Sequence, residues 1–187
     1  MLINLKVIID MKLFSKYNKF MEKIIRKFTA LIITIFCYYL IHEGSHFLAA
    51  VIYGTFIEFR IIFPGIMVVT NSDIMTYSQI AVFSVIGPLS TILFGYIISL
   101  CANIVLKNNN KFILAIFYYV TIVLLVTDPI YITVLSGFFN GGDVNGIVLF
   151  GVNELTVKII FGLIGCANMV LFFKYVYPKY KHKFKTL

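Results

Sequence analysis

The sequence predicts an all-α polytopic membrane protein with about four transmembrane helices and a short membrane-associated β-hairpin between the first two. Hydrophobic residues make up 60% of the 187 positions and charged residues only 13%, whereas a soluble domain has about 25% charged residues. The apolar residues form four runs long enough to cross a bilayer. Between the first two runs, aromatic and β-branched residues surround a Pro-Gly pair, which favours a hairpin.

Both ends of the chain are basic and contribute most of a formal net charge of +8. In residues 1–27, lysines and Arg26 interrupt apolar patches too short to span and too charged for a cleaved signal peptide, which indicates a basic amphipathic segment on the membrane surface. Residues 174–187 form a basic tail. Four spans place both termini on one side, and the positive-inside rule assigns them to the cytoplasm. We expect the partner of this charge to be a bilayer with anionic head groups, and not nucleic acid.

The region 28–173 is predicted to be the transmembrane core. Gly87 and Pro88 lie inside its second span and predict a helix break. A glycine- and asparagine-rich break covers 136–146 and precedes the fourth span. The predicted spans are approximately 28–52, 80–106, 112–135 and 147–173.

Tyrosine and cysteine residues inside the spans indicate how the helices pack. The sequence has no tryptophan, and the pairs Tyr38-Tyr39 and Tyr118-Tyr119 are expected to pack between helices or line a cavity. Three isolated cysteines give no disulfide framework and are expected to be buried. These are Cys37, Cys101 and Cys166.

The predicted hairpin covers residues 56–70, with its turn at Pro64-Gly65. An unpaired strand edge cannot face lipid, so the hairpin must lie against protein, line a cavity or sit at the interface. Such an edge can hold an extended peptide by adding it as a further strand. The alternative is a hydrophobic loop packed on the helices, because short strands alone are ambiguous.

The first span contains His42-Glu43-Gly44-Ser45-His46, an HExxH pattern. Residues four apart share a helix face, so His42 and His46 can hold one zinc ion per chain. Zinc lowers the pKa of a bound water to about 7, and Glu43 can take its proton. This pattern often arises by chance, but ionisable residues are rare in membrane spans unless they are functional.

A zinc hydrolase needs a third protein ligand, and the sequence offers three carboxylates. Asp143 is favoured because neighbouring glycines permit the irregular backbone of a ligand loop. Asp128 is the alternative, since an intramembrane carboxylate beside Pro129 requires an explanation. Glu154 is better explained as the partner of Lys158 at i+4.

Taken together, these motifs resemble the site-2 protease family of intramembrane zinc metalloproteases, in a minimal form without soluble domains. The resemblance implies His42, His46 and Asp143 as zinc ligands, Glu43 as the base, a membrane-embedded sheet, and a transmembrane protein as substrate. Two positions depart from the family pattern. Thr91 stands where asparagine is common and Val144 where glycine is usual.

Several further expectations follow. Asn140 and Asn145 are candidate contacts to the substrate or to the oxyanion of the scissile carbonyl.

The composition, which is rich in Ile, Lys, Asn and Phe, indicates a microbial source, so the expected location is a microbial cell membrane. The competing function is a small multi-pass transporter, channel or immunity-type membrane protein whose intramembrane His, Glu and Asp residues relay protons or ions. The sequence predicts no oligomeric state.

Overall fold

The protein is a bundle of helices with one small sheet. The computed structural model describes the backbone of residues 2–62, 65–138 and 142–187, and their side chains apart from those of 2–13, 15 and 19. The elements are α1 (Leu2–Ile52), β1 (Phe56–Ile62), β2 (Gly65–Thr70), a 3₁₀ turn (Ser72–Ile74), α2 (Tyr77–Leu100), α3 (Ala102–Val105), α4 (Lys111–Ile130) with a π-helical extension (Tyr131–Leu135), α5 (Gly142–Leu149), α6 (Glu154–Leu171) with a π-helical extension (Phe172–Val176), and α7 (Tyr177–Thr186).

The predicted fold class is confirmed. In the described residues, four helical stretches are long and apolar enough to cross a membrane, and an antiparallel pair of strands lies between the first two. The predicted fourth span, 147–173, is corrected because α5 ends at Leu149 and α6 begins at Glu154. Gly151 has a φ of 98° in the intervening turn, a conformation that favours glycine, and the Asn153 side chain accepts a 2.8 Å bond from Leu155 N–H to start α6.

Side-chain caps fix where the later spans begin. Thr76 and Gln79 form a reciprocal capping box at the start of α2, which satisfies backbone N–H groups that the helix itself cannot. The Asn110 side chain accepts a 2.8 Å bond from Phe112 N–H at the start of α4. The predicted polar turn between the second and third spans therefore ends in a helix cap.

α1 is one continuous helix of 51 residues, about 76 Å long at 1.5 Å per residue. The predicted boundary between residues 27 and 28 does not coincide with a helix end. That residues 1–27 lie on the membrane surface stays a prediction.

The hairpin packs against the C-terminal half of α1. The strands are antiparallel, with Phe59 opposite Val68. The Phe47 ring of α1 lies 5.0 Å from the ring of Phe56 and 5.2 Å from that of Phe59. Most residues of β1 are exposed. The hairpin thus lies against protein on one side, which is one of the three placements that the sequence left open.

The span formed by α4 and its π-helical extension is the most enclosed of the four. In its most apolar 18-residue stretch 50% of the residues are buried, whereas in the corresponding stretch of α1 only 11% are buried. A buried polar group joins it to two neighbours. Asn168 of α6 donates a 2.7 Å bond to the Leu125 carbonyl oxygen of α4 and accepts a 2.6 Å bond from the Tyr96 hydroxyl of α2. Such hydrogen bonds hold helices together where the hydrophobic effect does not.

The prediction that the three cysteines are buried is wrong. Cys37 and Cys101 are partly exposed, and Cys166 is exposed. The outer surface of a membrane bundle faces lipid and not water, so burial of a thiol gives no hydrophobic stabilisation there. The three cysteines lie on this surface together with many exposed apolar side chains.

α2 presents one face of small residues to the rest of the bundle. Ser84, Gly87, Thr91 and Gly95 are all buried, and their spacing of three and four residues places them in one row. A methyl group built on Gly95 would lie 2.8 Å from Cδ2 and 2.9 Å from Cγ of Leu125 in α4. The row therefore lets neighbouring helices approach the backbone of α2.

The predicted helix break at Gly87 and Pro88 is corrected. α2 continues from Tyr77 to Leu100 with Pro88 inside it. Proline removes one backbone donor, and a packed bundle can accept that loss when neighbouring groups satisfy the freed carbonyl.

We expect Gly95→Ala to destabilise the protein by about 1–3 kcal/mol, because the added methyl forces α2 and α4 apart. Thermal unfolding of the purified protein in detergent measures the effect. Gly162→Ala is the matched control, since its methyl would lie 3.4 Å from Thr133 Cγ2, an ordinary contact. It should leave stability unchanged or raise it by up to about 1 kcal/mol. Equal effects of the two changes would contradict this account of the α2 face.

Candidate metal centre

Three ligand-type side chains converge between α1 and α5. His42 and His46 lie one turn apart on α1 and are 7% and 4% exposed, and Asp143 lies in the first turn of α5. The two Nε2 atoms are 3.2 Å apart. Asp143 Oδ2 lies 3.4 Å from His42 Nε2, and its Oδ1 lies 3.5 Å from His46 Nε2.

The closest approaches among these three side chains are similar to the distances between ligand atoms around a zinc ion. With zinc–ligand bonds of about 2.0–2.1 Å and tetrahedral angles, ligand atoms lie about 3.3 Å apart. The closest approaches are 3.2 Å between the two nitrogens, and 3.4 and 3.5 Å from the nitrogens to the two different oxygens of Asp143, and each is close to that value. Two imidazoles and one carboxylate also form a donor set that suits zinc and leaves a fourth position open. The residues present therefore fit a zinc ion.

Two glycines make this convergence possible. A methyl group on Gly87 of α2 would collide with His46 Nε2 and lie 3.0 Å from both Cε1 and Nε2 of His42. A methyl group on Gly146 of α5 would collide with the Ser84 hydroxyl oxygen of α2. Because both glycines lack side chains, α2 can approach the imidazoles and α5 can approach α2, which brings Asp143 to the histidines.

Asp128 lies on the opposite side of His42. It is fully buried, and its Oδ1 is 3.2 Å from His42 Nδ1. The Tyr38 hydroxyl donates a 2.5 Å bond to Oδ1, and the Thr91 hydroxyl donates to Oδ2. A carboxylate on the outer nitrogen fixes the tautomer and the orientation of a metal-binding imidazole. The geometry therefore favours Asp128 as a positioning residue and Asp143 as the third ligand.

Glu43 is fixed by the hairpin. The Val68 backbone N–H of β2 donates a 2.9 Å bond to Glu43 Oε2. Val68 is buried against α1, although most of the hairpin is exposed. One strand of the sheet thus directly contacts the predicted catalytic carboxylate.

Other predicted site residues lie away from the three ligands or outside the described chain. Asn145 is exposed on α5, two residues after Asp143 and so on another side of that helix, and its substrate contact stays a prediction. Asn140 lies outside the described residues. Glu154 pairs with Lys158 at 2.6 Å, which confirms the i+4 ion pair. Asp143 through Gly146 belong to α5, so the prediction of an irregular ligand loop at Asp143 is corrected.

Sequence reasoning did not assign a role to Thr91 or to the small-residue face of α2. The sequence marks Thr91 only as a residue that differs from the family pattern, but its hydroxyl donates a hydrogen bond to Asp128, the carboxylate beside His42. Its position seven residues after Ser84 was a usable signal, because polar or small residues at helical spacing in a span mark a helix contact. Tyr38 was predicted to pack between helices, and it does so by bonding Asp128.

Comparisons with protein-family models, with characterised proteins and with solved structures give no match. The resemblance to site-2 proteases therefore rests on the sequence motifs alone.

We expect Asp128→Asn to weaken zinc binding roughly 10- to 100-fold, the usual cost of losing the outer hydrogen-bond partner of a metal-binding histidine. Zinc affinity of the purified protein, measured by competition with a chromogenic chelator, tests this. Asp73→Asn removes an exposed carboxylate and should leave affinity unchanged. If Asp128→Asn abolishes zinc binding while Asp143→Asn leaves it intact, the assignment of the third ligand is wrong.

Gly87→Ala should lower zinc binding at least tenfold, because its methyl occupies the space of the two imidazoles. Zinc content after dialysis, measured by mass spectrometry of the metal, gives the result. Gly44→Ala is the control, as a methyl there meets nothing within 4 Å although it lies between the histidines in sequence. Full zinc occupancy in Gly87→Ala would show that the imidazoles do not depend on this contact.

Proposed function

We propose that this protein is an intramembrane zinc endopeptidase, which cleaves a peptide bond in or near a transmembrane segment of another protein. One observation carries the proposal. His42, His46 and Asp143 each offer one possible ligand atom within 4.8 Å of the other two, and the two histidines lie on a helix apolar enough to cross a membrane. The resemblance of the HExxH motif to site-2 proteases agrees with it.

The chain supplies the groups that peptide hydrolysis needs. When bound, zinc supplies Lewis acidity, which acidifies a water and polarises a carbonyl. Glu43 accepts the proton of the attacking water and returns it to the departing amine, as a carboxylate next to a metal ligand can. Asp128, held by Tyr38 and Thr91, keeps His42 in one orientation.

The hairpin supports an extended segment of membrane protein as the substrate. A peptide bond inside a helix is shielded by its own hydrogen bonds, so the substrate must unwind before attack. The bond from Val68 N–H to Glu43 places the outer edge of β2 beside the base. A substrate strand added along that edge would receive backbone hydrogen bonds and pass next to the catalytic carboxylate.

The competing function, a proton or ion relay, uses the same residue types. A relay requires polar groups distributed along a path. Here three possible ligand atoms lie within 4.8 Å of one another, and the carboxylate of Asp128 lies beside the other ring nitrogen of His42. This convergence favours metal binding over a relay.

We expect Glu43→Gln to keep about one zinc per chain and the native fold, while peptide cleavage falls at least a thousandfold, since only the proton acceptor is lost. The assay uses the full chain reconstituted with a panel of fluorescent single-span peptides. Peptides with Gly and Pro at their centre should be cleaved faster than Leu-Ala peptides, because they unwind more readily.

Two variants control this experiment. Glu58→Gln changes an exposed carboxylate paired with Arg60 on β1 and should retain full activity. His46→Ala should lose both zinc and cleavage. A wild-type protein that binds no zinc, or cleavage that persists in Glu43→Gln, contradicts the proposed function, and the first result favours the relay.

A further inference from the structure

A cavity of about 500 Å³ lies where the N-terminal part of α1 meets the start of α4 and the helix α7. It is far from the candidate metal centre. Arg26 in its wall and His42 are 16 positions apart on α1, about 24 Å at the rise of an α-helix. Its size is within the range of ligand-binding cavities.

The wall of the cavity is strongly basic. Its charged side chains are six cations and no anion: Lys23, Arg26, Lys27, Lys111, Lys181 and Lys185. Within the described side chains, none of these six forms an ion pair. Like charges gathered in a cleft repel one another and concentrate the field on an anion.

The lysines of α7 divide into two groups by their contacts. Lys179 and Lys183 donate to Asn103 and Asn109 at 2.9 and 2.8 Å, so they fasten α7 to the connection between α2 and α4. Lys181 and Lys185, which are also four residues apart, line the cavity instead. The first pair therefore connects α7 to another element, whereas the ring contact of Lys181, 5.4 Å above Tyr177, stays within α7.

A buried hydroxyl group provides a second, independent indication of a ligand. Tyr180 lines the cavity and is 1% exposed. Its hydroxyl has no hydrogen-bond partner among the described residues, and leaving such a group unsatisfied costs about 1–3 kcal/mol. The hydroxyl oxygen is itself closed to solvent, so a ligand bound to the cations would satisfy it only if an acceptor oxygen of that ligand displaced the atoms that cover it.

The surroundings of the cavity distinguish between sources of such oxygens. Directly after Lys27, α1 exposes Phe28, Ile32 and Phe36, each about two-thirds accessible. Cationic groups followed along a helix by exposed apolar side chains match a molecule with an anionic head and hydrocarbon chains. Free phosphate would use only the first part of this surface.

We propose that this cavity binds the phosphate group of an anionic phospholipid, whose acyl chains lie along the apolar surface of α1. Lysine and arginine donate charge-assisted hydrogen bonds to the phosphate oxygens, and the Tyr180 hydroxyl donates another. The proposal is independent of the zinc site, because it uses different residues at another level of the bundle.

The test measures lipid binding by the full chain. Native mass spectrometry of the detergent-solubilised protein is titrated with phosphatidylglycerol, with phosphatidylcholine, and with inorganic phosphate as a competitor. We expect retention of phosphatidylglycerol but not of phosphatidylcholine. Lys111→Gln/Lys181→Gln should weaken phosphatidylglycerol binding roughly tenfold or more. Lys107→Gln/Lys174→Gln removes the same charge from exposed lysines outside the cavity and should change binding less than twofold.

Tyr180→Phe separates a bound ligand from general charge attraction. Without anionic lipid, the variant should unfold at the same temperature or higher, because it loses an unsatisfied hydroxyl. With phosphatidylglycerol present, the rise in unfolding temperature should be smaller than in the wild type.

Three results would overturn the proposal, and a fourth would remove Tyr180 from it. If phosphatidylcholine were retained as well as phosphatidylglycerol, the cavity would not select an anionic head group. An equal loss from the Lys107/Lys174 pair would show unspecific attraction. If saturating inorganic phosphate removed the preference for phosphatidylglycerol, free phosphate would be identified as the ligand. An unchanged lipid response in Tyr180→Phe would exclude its hydroxyl from the site.

Discussion

The absence of side-chain bulk along one face of α2 is the constraint on which the rest of this structure depends. Gly87 lies against both imidazoles, Gly95 against Leu125, and Ser84 against Gly146. In a bilayer, helices associate through close packing and internal hydrogen bonds, because lipid is as apolar as their side chains. The small-residue face lets α1, α4 and α5 approach the same helix, and their polar side chains then meet.

The polar cluster has two layers with different physical roles. His42, His46 and Asp143 each bring one possible ligand atom within 4.8 Å of the other two. Asp128 instead lies beside Nδ1 of His42 and accepts hydrogen bonds from two hydroxyl groups. A buried carboxylate in an apolar medium is tolerable only when its oxygens are hydrogen-bonded. Tyr38 and Thr91 meet that requirement, so the charge that orients the imidazole is itself stabilised.

The polar cluster and the basic cavity lie at different positions along α1. The HExxH segment, Asp143 and the hairpin gather toward the C-terminal half of α1, while the basic cavity lies toward its N-terminal half, about 24 Å away by helix rise. Contacts of Lys179 and Lys183 with Asn103 and Asn109 hold α7 in place at that second level. A single continuous helix, α1, thus contributes residues both to the polar cluster and to the wall of the basic cavity.

The sequence by itself determined the helical membrane fold, the hairpin at 56–70, and the shared face of His42 and His46. Hydropathy, β-branched composition and the 3.6-residue period are local properties, so they can be read from neighbouring residues. Only the tertiary structure shows that Asp143 approaches the Nε2 atoms of the two histidines while Asp128 approaches Nδ1 of His42, because these distances depend on how α4 and α5 pack on α2. The same holds for Gly87, for the division between α5 and α6, and for the basic cavity. Each arises from contacts between segments far apart in the chain, which no local pattern specifies.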